Sequence, residues 1–425
     1  RIVVTAPDPV ALVDCTIDMS EARISGHIRL IDSASTIRES RADDLIVQGG
    51  QITLADLVRA YGEFTISDAD VTLGETSNTE STLVGSTGST FRVSNSTIDV
   101  LERTYFTGSI IESTISGPGT LNVDDLQGSV IQQGVTVLVH ESLSRSPDEL
   151  LIGWRAVNVH GTLIIAGEDI QWTSGSIHLL GSGSRLNVTA SAELNVAFSI
   201  AWVTGQGRVT NLGTMSAHEG GLLRIDSRLD NQGTMAADGG ELSLLGDIVQ
   251  ITSGGVLQSG TWFAGDGGSI WFAEASILRN NATIHVQGDG TFLRLRSLNK
   301  NTGHITLRGT GGWIANGYDA NLVNKGTITK DGGGPRTFTG NISQTPRGII
   351  EVRAGTLALE TALFRNHGEL VLSNANHTLP ARFRVTGVFE QTSTGLLSYT
   401  GGVENTLADF PRLIASQIRL VGYLL

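Results

Sequence analysis

The chain has 425 residues, with 53 Gly, 8 Pro, 17% charged and only 5% aromatic residues, a composition of repetitive β proteins rather than of ordinary globular enzymes. A net charge of −13 argues against nucleic acid and anionic membranes as partners, and the lone Cys15 excludes an internal disulfide. No apolar run approaches the roughly 20 residues that cross a bilayer, which predicts no transmembrane segment.

Residues 1–150 carry all of the excess charge: 22 Asp and Glu against 9 Arg, a net of −13, while the remainder balances. A Thr-Ile phrase recurs here at Thr16-Ile17, Thr36-Ile37, Thr65-Ile66, Thr97-Ile98 and Thr114-Ile115. Its uneven spacing predicts an acidic, irregular β-solenoid portion with insertions. Leu54 to Phe64 is expected to form a short helix or an excursion, and Ser144 with Pro147-Asp148-Glu149 has the composition of a helix start. Asp68, Asp70, Asp124 and Asp125 offer hard oxygen donors, which makes them weak candidates for Ca²⁺; the alternative is a solvated acidic surface.

Residues 151–400 repeat a second phrase, Asn-x-Gly followed by a polar and then an apolar residue. Its anchors are Gly213, Gly233, Gly255, Ala282, Gly303, Gly326, Gly348, Gly368 and Gly395, at intervals of 20 to 27 residues. Repetition at that period marks a solenoid. Two positions after each anchor the residue is always apolar, from Met215 to Leu397, and four positions after it is mostly so. An alternation of period two is a strand with one buried face. Glycine-rich corners then lead into a second alternating strand, as in Leu242-Ser243-Leu244. A single rung cannot bury its own apolar face, so rungs must stack at about 4.8 Å.

The expected architecture is therefore all-β: a single-stranded parallel β-helix of about 20 rungs, with a regular portion at 151–400 and a cap or link at 401–425. Asn211, Asn231, Asn280, Asn301, Asn324 and Asn366 share the column two before the anchor and predict a structural asparagine ladder, since Asn tolerates tight turns and its amide can bond the next rung. Where that column lacks Asn, the residue after the anchor is Val256, Ile349 or Leu396. These three, with Trp262 and Trp271 in the lengthened rung, form the candidate interaction surface. Ile305→Asp is expected to collapse local rungs and Thr306→Asp to be tolerated.

No nucleophile elbow, zinc-protease motif, P-loop or cysteine metal site occurs, and no catalytic residue is assigned. His285 and His304 fall at odd offsets in adjacent rungs and are expected to face outward together. The Asn-x-Gly-Thr-Ile/Met and Gly-Gly-x-Leu-x-Leu phrases in 20 to 23 residue rungs resemble those of bacterial filamentous haemagglutinin-type adhesins and autotransporter passenger domains. That resemblance implies a right-handed β-helix and an exported, elongated structural or adhesive protein, extracellular or on a bacterial cell surface. It would act as a rigid rod that presents contact surfaces to other surface proteins or self-assembles into filaments. The alternative is a glycan-binding or glycan-cleaving β-helix of the tailspike or pectate-lyase type. Starting at Arg1 and stopping in mid-pattern, the chain reads as a mature or ordered portion of something longer, and no cofactor is expected apart from Ca²⁺.

Overall fold

The computed structural model describes residues 3–421 except 6–9, 21–22, 39, 56, 61–63, 75–81, 87–90, 102, 145–155, 274–275, 294, 296–297, 313–320, 340–341, 362, 374–380, 395 and 401–411. The expected helix start at Pro147-Asp148-Glu149 and the boundary near residue 150 lie outside the described residues, as does most of the expected cap. Among the described residues there is no α-helix. Strands fall into sheets of 26, 14 and 11 members, and the pairings between strands are parallel. The fold is a parallel β-solenoid of about 14 turns, one for each strand of the 14-stranded sheet. The expected 20 came from dividing the whole length by the repeat. That count overstates the stack: the 14-stranded sheet ends at Thr291–Leu293, while the 11-stranded sheet begins at Val256–Leu257 and the 26-stranded sheet runs on to Leu396–Thr400.

Two compact units divide the chain. The first comprises Arg1–Thr214 with Asp226–Arg228, and the second Met215–Ile225 with Leu229–Leu425.

In the first unit the Thr-Ile phrases do not share one column. Thr97-Ile98 lies in register with Thr114-Ile115, but Thr65-Ile66 belongs to a strand of a different sheet. Leu54 to Phe64 contains no described helix: Gln51–Ala55, Leu57–Ala60 and Phe64–Ser67 are strands. β-branched residues and a backbone ladder on both sides outweigh local helix propensity there.

Several corners leaving the large sheet are turned by a residue with positive φ, among them Asp14, Asp32, Asp68, Asn95 and Glu112. Its N–H bonds the carbonyl just before the next corner, as Asp32 does to Gln48 and Asn95 to Ile111. A serine follows at Ser33, Ser96, Ser113 and Ser129, whose hydroxyl donates to the carbonyl two residues back at 2.8 Å in all four. The Ser113 hydroxyl also accepts from the Ser96 N–H at 3.2 Å, and Ser129 does the same for Ser113. This serine ladder satisfies corner backbone groups that would otherwise be buried without partners.

In the second unit the inward column runs Met235, Trp262, Ile284, Ile305, Ile328, Ile350, Leu370 and Leu397, fixed by register. Thr234 opposes Thr261, so the anchor of the third rung is Gly260 and not Gly255. Residues 250–258 supply a decoy: Ser253-Gly254-Gly255-Val256-Leu257 copies the phrase but belongs to a local excursion, closed by an antiparallel bridge from Ile251 to Leu257. Trp262 thereby occupies a core position. It is fully buried, 5.2 Å from Phe272, which stacks on Phe292. The segment Arg412–Val421 adds a further strand beside Arg382–Thr392.

Candidate functional site

The asparagine column is an interior feature. Asn211, Asn231, Asn280, Asn301, Asn324 and Asn366 are all fully buried. From Asn280 the register continues through Asn301, Asn324, Gln344, Asn366 and Gln391. Asn280 Nδ2 donates to Asn301 Oδ1 at 3.0 Å, Asn301 to Asn324 at 2.9 Å, and Asn366 to Gln391 Oε1 at 2.9 Å. Counting two residues back from the anchors Gly348 and Gly395 leads instead to Pro346 and Ser393, which are not the residues in the two glutamine slots. The signal missed is Gln-Thr four residues before the anchor, in Gln344-Thr345 and Gln391-Thr392. A third glutamine, Gln250, serves Asn231 by accepting from its N–H at 2.9 Å, and it donates to Asp230 at 2.6 Å.

The residues named for an interaction surface separate. Leu396 is 55% exposed and Ile349 half-buried, both on the outward column after the anchor. Val256 pairs with Arg279 in another sheet and does not share that column. Trp262 is removed from the surface by its core position, while Trp271 stays half-buried on an outward face opposite Leu293. Thr306 is 7% exposed, so Thr306→Asp would bury a charge; an outward column on a stacked sheet is not thereby solvated.

Asp68 is an exposed corner residue at φ 55°, which gives it a backbone role, and Asp70 is exposed at the start of the next strand. Asp124 and Asp125 lie within the strand Thr120–Gln127. Among the described residues no three metal-ligating side chains converge.

Charged groups gather on the second unit's outward face and at the corner that follows it. His285 and His304 lie on adjacent strands, His285 opposite Thr306 and His304 opposite Thr283. Both imidazoles are held below their ordinary range. Burial is the main cause for each, followed by His304 and Arg308 for His285, and by Arg353, against Glu351, for His304. Arg353 pairs with Glu351 at 2.9 Å, a contact that raises the guanidinium further. Arg308 Nε stands 3.7 Å from Asp331, and the two flank a shallow groove of about 490 Å³ lined also by Asp266, Gln287 and Thr310.

Two fully buried cations underlie that groove. Lys330 donates to the Gly332 carbonyl, and Arg336 donates to the carbonyls of Gly288 and, at 2.7 Å, of Arg308. Burial, with Arg336 nearby, brings the Lys330 ammonium down to about 8. Lys330 occupies an inward position, between Leu307 and Val352, that is otherwise aliphatic. A separate cavity of about 560 Å³, lined by Leu244, Ile248, Ile251, Phe272 and Leu278 together with Asp247 and several serines and glycines, opens beside the excursion at 245–258. Chemically, the corner offers mixed-sign polar contacts and the cavity an apolar wall.

No protein-family model matches the chain, and no curated protein matches it.

Proposed function

We propose that the chain is an exported structural or adhesive surface protein, a scaffold of stacked turns whose outward columns and corners present contact surfaces and which self-assembles. The supporting observation is the buried amide ladder: six successive slots from Asn280 to Gln391 are filled by Asn or Gln, whose amides tie one turn to the next. Such a stack holds surface residues at fixed spacing, which suits repeated contacts. In this reading no residue has a catalytic role. No helix among the described residues is long and apolar enough to cross a membrane.

Electron microscopy of the native material, purified and in place, tests this directly. Filaments or a regular surface layer are the expected result. Isolated particles located inside cells would overturn it.

A further inference from the structure

Among the described residues eight non-glycine residues have positive φ, and seven of them are Asp, Asn or Glu: Asp14, Asp32, Asp68, Asn95, Glu112, Glu219 and Asp266. The eighth is Phe198, at φ 54°. For a bulky side chain that region is an outlier, whereas Asn and Asp enter it readily. Phe198 gains no burial in exchange, since it is 78% exposed, and Ile200 two residues on is 39% exposed. A serine follows Phe198, as after Asp32, Asn95 and Glu112, but the Ser199 hydroxyl donates to the Trp172 carbonyl of the preceding turn, at 3.5 Å, and among the described residues it makes no bond to the carbonyl two residues back. Packing does not explain a strained, solvent-facing aromatic at a kind of position that acids, one amide and glycines otherwise fill. Such an outlier points to a contact made outside the fold.

The neighbouring surface identifies the chemistry. On the outward face of the strand that ends at this corner, Asn195 lies in register with Gln171. Both amides donate to one oxygen of Asp169, at 2.7 Å and 2.6 Å, which locks three planar polar groups side by side. Asn195 is three residues from Phe198, within about 10 Å along the chain. A pyranose has an apolar C–H face that stacks on an aromatic ring and vicinal hydroxyls that suit paired amide and carboxylate groups. Among the described residues, Asp169, exposed Glu168 and half-buried Glu193 flank the array in sequence and are all acidic, which disfavours an anionic ligand. A protein partner would call for a wider apolar patch than two side chains provide.

We infer that Phe198, with Asp169, Gln171 and Asn195, forms a binding site for neutral saccharide, one sugar ring lying on Phe198 and its neighbours hydrogen-bonding to the array. The inference gives the contact-presenting reading above a partner class and rests on it for its biological use alone. A failure here would leave the scaffold reading to be judged by microscopy.

The test is a titration of the purified chain with maltohexaose, cellohexaose, mannohexaose and chitohexaose, followed by calorimetry and saturation-transfer NMR. At least one of them should bind. Phe198→Asn should weaken that binding at least tenfold while leaving the melting temperature unchanged or higher, because Asn already serves the same corner at Asn95. Gln171→Ala combined with Asn195→Ala should weaken binding with Phe198 in place. Absence of binding to all four sugars, unchanged affinity in Phe198→Asn, tighter binding of polygalacturonate, or unfolding of Phe198→Asn would each overturn the proposal.

Discussion

Asn280 donates through Nδ2 to Oδ1 of Asn301 at 3.0 Å, across a boundary between turns and with no exposure of either residue. Asn301 passes the pattern on to Asn324 and also reaches the Thr327 carbonyl at 3.3 Å. A side chain in this slot thus satisfies groups in the turns on both sides of its own. Replacing it strands polar atoms that water cannot reach.

Asn301→Leu should therefore destabilise the second unit by about 2–3 kcal/mol even though the volume is nearly kept, because the Asn280 donor and the Asn324 acceptor both lose a partner. Urea denaturation gives the magnitude. Hydrogen exchange should show the loss concentrated in the strands around Asn280 and Asn324.

Trp262 and Trp271, both surface candidates by sequence, should respond differently. Trp262→Ala removes a fully buried ring that touches Phe272 and should cost about 3–5 kcal/mol. Trp271→Ala, on an outward face, should cost clearly less. Equal losses in thermal denaturation would contradict the register that places Trp262 in the core.

Lys330 makes stability depend on pH in a particular direction. Its folded-state value near 8 lies below the ordinary 10.5, so between these pH values the unfolded chain holds a proton that the folded chain has released. Stability should rise as pH increases from about 8 to about 10.5. Lys330→Met should flatten that rise and increase stability below pH 8, measured by urea denaturation at pH 7.5 and 9.5.

The histidine pair acts lower on the scale. His285 and His304 are both depressed from 6.5, so below that pH the unfolded chain takes up protons before the folded one, and stability should fall with acidification. Paired replacement, His285→Asn with His304→Asn, should reduce the slope between pH 7 and 5. A steeper slope in the variant would show that the imidazoles are instead stabilised as cations.

Stacking was legible in the sequence because burial on one face imposes period two and repetition imposes a fixed rung. Most anchors of the second unit, from Gly233 and Ala282 to Gly368, fall in the register found. Gly255 failed because a phrase five residues long recurs by chance in so Gly- and Ser-rich a chain, and only long-range pairing separates copy from decoy. Gln344 and Gln391 were missed because a longer side chain joined to a longer turn shifts the slot by two positions. Phe198 was invisible for a different reason: a positive φ at a corner leaves no periodic trace, and Phe is not a residue that suggests one. The buried Lys330 and Arg336 were hidden by the same logic, since pattern reading treats charge as a mark of the outside.

The exchange of Asn for Gln at the fourth and sixth slots of the amide stack has an evolutionary consequence. A glutamine with two extra turn residues spans the gap that an asparagine spans without them, as Gln344 shows by reaching the carbonyls of Gly348 and Glu369. Turns of unequal length are then interchangeable modules, and duplication or recombination between them keeps the lattice intact without a compensating change elsewhere. What an added turn must supply is thus a buried amide in register, and the length of the loop that carries it is free to differ.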